Sequence, residues 1–185
     1  MKRFAVVIAA FAVVGLFAQQ ALAASPHLKG RDAVSFTDNG LTLSATVSYA
    51  GLGNFDTEQS LAARGNPTAT CTNPSGKNQP PGQNPAEVEV KGSTAVPKSA
   101  IKNGNVTITT TTSPPTTPIP GAPDCPGSNW TETITDVAFT SATIELRQDQ
   151  DANGSFETLV LTVSCTFSSP TANGSVSNFT CTTSP

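Results

Sequence analysis

The sequence predicts an all-β protein, an immunoglobulin-like antiparallel β-sandwich of about 8–10 strands pinned by two disulfides. Three observations carry that expectation. Apolar residues alternate with Ser and Thr at period two, Asn-Gly dipeptides punctuate the chain, and four cysteines follow an export-type leader.

The alternation is repeated along the chain. Leu41, Leu43, Ala45, Val47 and Tyr49 share one parity, with Thr42, Ser44, Thr46 and Ser48 on the other. Val88 and Val90 alternate with Glu87, Glu89 and Lys91, and Val106 and Ile108 with Thr107 and Thr109. Ala142, Ile144 and Leu146 alternate with Thr143, Glu145 and Arg147, and Leu159 to Phe167 repeats the scheme. Half-buried strands produce this pattern because successive side chains point to opposite faces. Trp130 and Ile134 share one parity and Val137 and Phe139 the other, which predicts a bulge near Thr135-Asp136. The stretch Asp56 to Arg64 reads as a short helix or an edge strand, with the strand preferred.

Turn chemistry gives registers. Asn-Gly occurs at Asn39-Gly40, Asn103-Gly104, Asn153-Gly154 and Asn173-Gly174. The dipeptide suits a two-residue type I′ hairpin, whose central positions both need positive φ. A hairpin at Asn153-Gly154 sets Leu146 against Leu161, Ile144 against Val163 and Ala142 against Cys165. One at Asn39-Gly40 sets Phe36 against Leu43 and Val34 against Ala45. Thr72 to Pro85 and Ser113 to Pro126 are too rich in Pro and Asn for central strands and read as long loops. The second also has the Thr/Pro composition of an O-glycosylated stalk.

Met1-Lys2-Arg3, an uncharged run from Phe4 to Ala18, and Ala21-Leu22-Ala23 form the pattern of a cleavable signal peptide over residues 1–23. The run falls short of the ~20 apolar residues that span a bilayer. The expectation is a secreted protein without membrane insertion after cleavage, with a polar lead-in at 24–31 and one domain at 32–185. Without Lys2 and Arg3 the 10 basic residues become 8 against 13 acidic, a net charge near −5. No basic cluster is visible along the chain, which disfavours nucleic acid as a partner. Disulfides persist outside the cytosol. Of three possible connectivities, Cys71–Cys125 and Cys165–Cys181 are favoured, because the second is local and the first ties two long loops together.

Cys71 to Val90 (CTNPSGKNQPPGQNPAEVEV), Asp124 to Ile144 (DCPGSNWTETITDVAFTSATI) and Leu161 to Phe167 (LTVSCTF) resemble segments of small exported bacterial proteins. Those proteins have no established activity. The resemblance implies an exported β domain in most of the mature chain and assigns no functional residue.

Two places carry candidate binding chemistry. Asp149, Asp151 and Asn153, followed by Gly154, have the D-x-D-x-N-G spacing of the first half of a calcium loop. The bidentate Glu expected at position twelve is replaced by Val160, so Glu157 or another carboxylate would have to serve. A polar hairpin tip needs no metal, so calcium is only an optional cofactor here. Trp130, the one Trp, is a candidate sugar platform, although a Trp beside a disulfide is more often a core plug. The single His, His27, lies in the lead-in, so no Ser-His-Asp or Cys-His arrangement is in view and an enzyme is not expected. The leading expectation is therefore a secreted, non-catalytic structural or adhesive surface-associated module. The alternatives are an extracellular carbohydrate-binding domain, with or without calcium, and a secreted inhibitor or effector that binds a protein partner through its Pro-rich loops.

Overall fold

The computed structural model describes residues 25–79, 86–119 and 125–185. The expected signal peptide at 1–23 lies outside the described residues. The described chain contains eleven strands: β1 (His27–Leu28), β2 (Val34–Asp38), β3 (Leu43–Ala50), β4 (Asp56–Thr72), β5 (Asn78–Gln79), β6 (Val88–Val96), β7 (Val106–Thr111), β8 (Thr131–Asp149), β9 (Thr158–Phe167), β10 (Gly174–Val176) and β11 (Phe179–Ser184). One short 3₁₀ turn, Lys98–Ala100, is the sole helical element among the described residues.

All pairings are antiparallel. In the first sheet β3 pairs with β2 and β1 along one edge and β7 along the other, and β10 adds to β2. In the second the order is β11-β9-β8-β4, with β6 and β5 on the far edge of β4. Their inward faces meet. Leu43, Ala45, Val47 and Tyr49 from β3 are fully buried, as are Val137, Phe139 and Ile144 from β8. Each large apolar side chain withdrawn from water contributes about 1.5–3 kcal/mol. The all-β antiparallel sandwich and both disulfides are as expected.

Polar groups link the layers inside this core. The Tyr49 hydroxyl on β3 donates to Gln59 Oε1 on β4 at 2.7 Å, and Gln59 Nε2 donates to Thr110 Oγ1 on β7 at 2.9 Å. Burial pushes the Tyr49 phenol well above its ordinary pKa, so it stays a donor. The layers also touch along one side. Ser113 N donates to Lys91 O, and Thr94 Oγ1 to Thr109 O. Gly92 permits this approach, since a methyl group there would overlap the Thr111 carbonyl oxygen.

The β8–β9 register matches the expectation at Leu146–Leu161, Ile144–Val163 and Ala142–Cys165, but not its tip. A bulge follows Leu146, the strands end at Asp149 and restart at Thr158, and a long loop replaces the two-residue turn. At the other hairpin Val34 faces Val47 and Phe36 faces Ala45, two residues away from the expected register. Its turn centres on Gly40-Leu41, closed by Asn39 N to Thr42 O, with φ +85° at Gly40. Gly at the first central position makes a II′ turn, not I′. A two-residue slip preserves parity, so the predicted core face survives. Only Asn103-Gly104 is a type I′ turn, with φ of 52° and 72° between the mutually bonded Lys102 and Asn105.

Asp56 to Arg64 is strand, but a central one: β4 runs between β8 and β6. The expected bulge is present, because Thr68 faces Asp136 and Ala69 faces Ile134, which leaves Thr135 extra. A second bulge leaves Thr140 extra opposite Arg64 and Gly65. Each extra threonine brings its hydroxyl to a β4 carbonyl, Thr135 to Thr68 and Thr140 to Arg64, both at 3.2 Å, and Thr140 shares its proton with Glu87 Oε1 at 3.0 Å. Both bulges therefore close hydrogen bonds that the broken ladder would lose.

Candidate functional site

The four cysteines form the expected pairs. Cys165 and Cys181 face each other directly across β9 and β11, with Cα atoms 4.1 Å apart. Cys71, near the end of β4, joins Cys125 across a separation of 54 residues. Neither bridge reaches the first sheet, so both differ from the inter-sheet disulfide of antibody domains. Such bonds are compatible with an extracellular setting. Among the described residues no helix is long and apolar enough to cross a membrane.

Trp130 is half-buried, outside both the strands and the core cluster, which corrects its reading as a core plug. It closes a turn, with its N–H on Gly127 O at 3.0 Å and its indole against Gly127, where a Cβ would lie 3.2 Å from Cδ1. Tyr49, the other non-Phe aromatic, is spent inside the core. Trp130 therefore offers a sugar ring only the exposed part of its indole.

Asp149, Asp151 and Asn153 do come together in the β8–β9 loop. Asp149 Oδ1 accepts from Asn153 N at 3.0 Å and Oδ2 from Gly154 N at 2.8 Å. Asp151 Oδ2 accepts from Asn153 Nδ2, and Asn153 Oδ1 from Ser155 N. Ala152 and Gly154 take φ of 56° and 86° to let the chain curl around the Asp149 carboxylate. Burial pushes the Asp149 carboxyl up, but the Gly154 and Asn153 N–H donors outweigh it and hold the pKa below its ordinary value. These bonds explain the loop's shape as a side-chain cap on backbone donors. Beside the loop, Asp151, Ser155 and Glu157 share a cavity of about 240 Å3 with Gln148 and Gln150.

The most regular surface is the outer face of the first sheet. Registers place Ser175, Thr37, Ser44 and Thr111 in one row, Ser35, Thr46 and Thr109 in the next, and Ser48 and Thr107 in a third. No Asp, Glu, Lys or Arg occupies these outward strand positions. Three rungs are hydrogen-bonded across β3 and β7: Ser44–Thr111 at 2.8 Å, Thr46–Thr109 at 2.8 Å and Ser48–Thr107 at 2.9 Å. A hydroxyl offers one donor and two acceptor sites. Each rung therefore keeps one donor and several acceptor sites for an outside group. The sequence shows both Thr-rich parities but not that they pair, because the partners lie 59 to 67 residues apart.

Comparison with known protein families, with curated proteins and with solved structures finds no match in any of the three.

Proposed function

We propose that the protein is an exported, non-catalytic structural or adhesive module of the cell surface. The observation that carries this reading is the uncharged hydroxyl face of β2, β3, β7 and β10, backed by a sandwich whose layers are tied by the buried Tyr49–Gln59–Thr110 bonds. A lattice of balanced donors and acceptors suits prolonged contact with a hydroxyl-rich extracellular polymer. The leader read in the sequence and the two disulfides agree with work outside the cytosol.

The test is co-sedimentation of the purified mature chain with isolated cell-surface material. The original chain is expected in the pellet. A Thr46→Lys, Thr109→Glu variant is expected in the supernatant with its fold intact, because opposite charges directly across two strands are tolerated or favourable. Equal sedimentation of both forms, or none of either, would end the reading.

A second reading, calcium-assisted binding, rests on the cavity shared by Asp151 and Glu157. Since Asp149 is engaged with backbone N–H groups, the ion would sit toward Asp151 and Glu157 with Ser155. A thermal melt with calcium and with chelator checks it. Calcium at 100 times its dissociation constant adds about 2.7 kcal/mol, so an unmoved midpoint removes calcium from the account.

A further inference from the structure

The last rung of the hydroxyl face, Ser48–Thr107, opens beside a cavity of about 410 Å3. Lys29, Lys102, Asn103, Asn105, Val106 and Thr107 line it. Lys29 comes from the segment after β1, where its N–H is held by Ser48 O. Lys102 and Asn105 come from the type I′ turn before β7. Two lysines 73 residues apart in sequence thus line the same opening.

Both lysines are exposed, and neither belongs to an ion pair among the described residues. The paired cations are Arg64 and Lys91, which share Glu89, and Arg147, which meets Glu145. Lys102 Nζ donates to Ser99 O at 2.8 Å, and an ammonium has two further donors to give. Arg31 and Lys98 lie nearby in sequence. Along the chain the nearest acidic residue is Asp32 to Lys29 and Glu89 to Lys102; Glu89 is held by Arg64 and Lys91, and Asp56 accepts from Lys98 N at 2.6 Å. In a protein with more acidic than basic residues, this opening presents cations without carboxylate partners.

We infer that this cavity and the adjoining hydroxyl rungs form a binding site for an acidic extracellular polysaccharide, a chain bearing both hydroxyls and carboxylates. The two ammonium groups take the carboxylate as charge-assisted donors. The amides of Asn103 and Asn105 border it, and the Ser48–Thr107 and Thr46–Thr109 rungs receive the sugar hydroxyls. A polymer with the charge but no hydroxyls would use only the lysines, and one with hydroxyls but no charge only the rungs. The inference goes beyond the adhesive reading by naming the polymer. It is tested at different residues on a defined ligand, so the two can fail separately.

The test is isothermal titration of the purified mature chain with alginate, dextran and polyglutamate, at low and at raised salt. Alginate is expected to bind and to weaken with salt, while dextran and polyglutamate bind far less. Lys29→Gln with Lys102→Gln is expected to lower alginate affinity roughly tenfold or more, the loss of at least one charge-assisted bond. Lys29→Arg with Lys102→Arg should retain most of it, and Lys77→Gln, an exposed lysine in another loop, should retain all of it. Unchanged melting curves separate lost binding from lost fold. Absence of alginate binding, equal affinity for polyglutamate, or an equal loss in Lys77→Gln would each overturn the assignment.

Discussion

At the scale of single residues, the buried polar atoms decide how tightly the two layers are specified. Tyr49→Phe keeps the ring and removes only the hydroxyl, which strands Gln59 Oε1 in a fully buried position. The expected loss is about 1–3 kcal/mol, the cost of an unsatisfied buried acceptor, read as an earlier midpoint in urea at unchanged slope. A neutral result would mean that Gln59 finds another donor. Residues also show where sequence reasoning runs out. The four Asn-Gly dipeptides take four different structural roles: the centre of a I′ turn, the first half of a II′ turn, part of a long loop, and the entry to β10. Positive φ at the glycine is local and legible. What the preceding Asn does depends on partners, such as the Asp149 carboxylate that captures Asn153 N. The D-x-D-x-N-G spacing marks three oxygen-bearing residues that share one loop, but not that two backbone N–H groups already hold the first.

At the scale of elements, parity was the dependable signal and register the weaker one. The bulge at Thr135 follows from a parity switch alone, so it was visible before any partner strand was known. The length of β4 was not visible. Pro67 and a run of small and polar residues disguise a 17-residue strand. Pro67 is accommodated because no described strand pairs with 66–70 on the edge away from β8. The C-terminal strand is held in two ways. Phe179 packs edge-on against Phe36 at 5.1 Å and lies 6.4 Å from Phe167, and Cys181 is bonded to Cys165. Closing a loop of this length stabilises by roughly 3 kcal/mol in the chain-entropy account. Cys165→Ser with Cys181→Ser is expected to lose up to that amount. Hydrogen exchange should speed up first at the amides of β11, while β4 and β8 stay protected. Uniformly faster exchange throughout the sandwich would show that the staple governs global folding and not one edge.

At the scale of the whole molecule, the layered fold was legible because every strand carries its own inward and outward faces. The surface chemistry was not. Lys29 and Lys102 look like isolated charges in the sequence, and the hydroxyl rungs look like ordinary Thr-rich strand faces. Both become sites only when β1, β3 and β7 are set side by side by pairings that span tens of residues. The disulfide between neighbouring strands has a mechanical consequence under the surface role proposed above. Tension pulling on β11 from its Ser184 side meets a covalent clasp at Cys181, which stops the Phe179–Cys181 half from unzipping from β9. The pull is handed to β9 and on to the long β8–β4 ribbon, where many hydrogen bonds share the load.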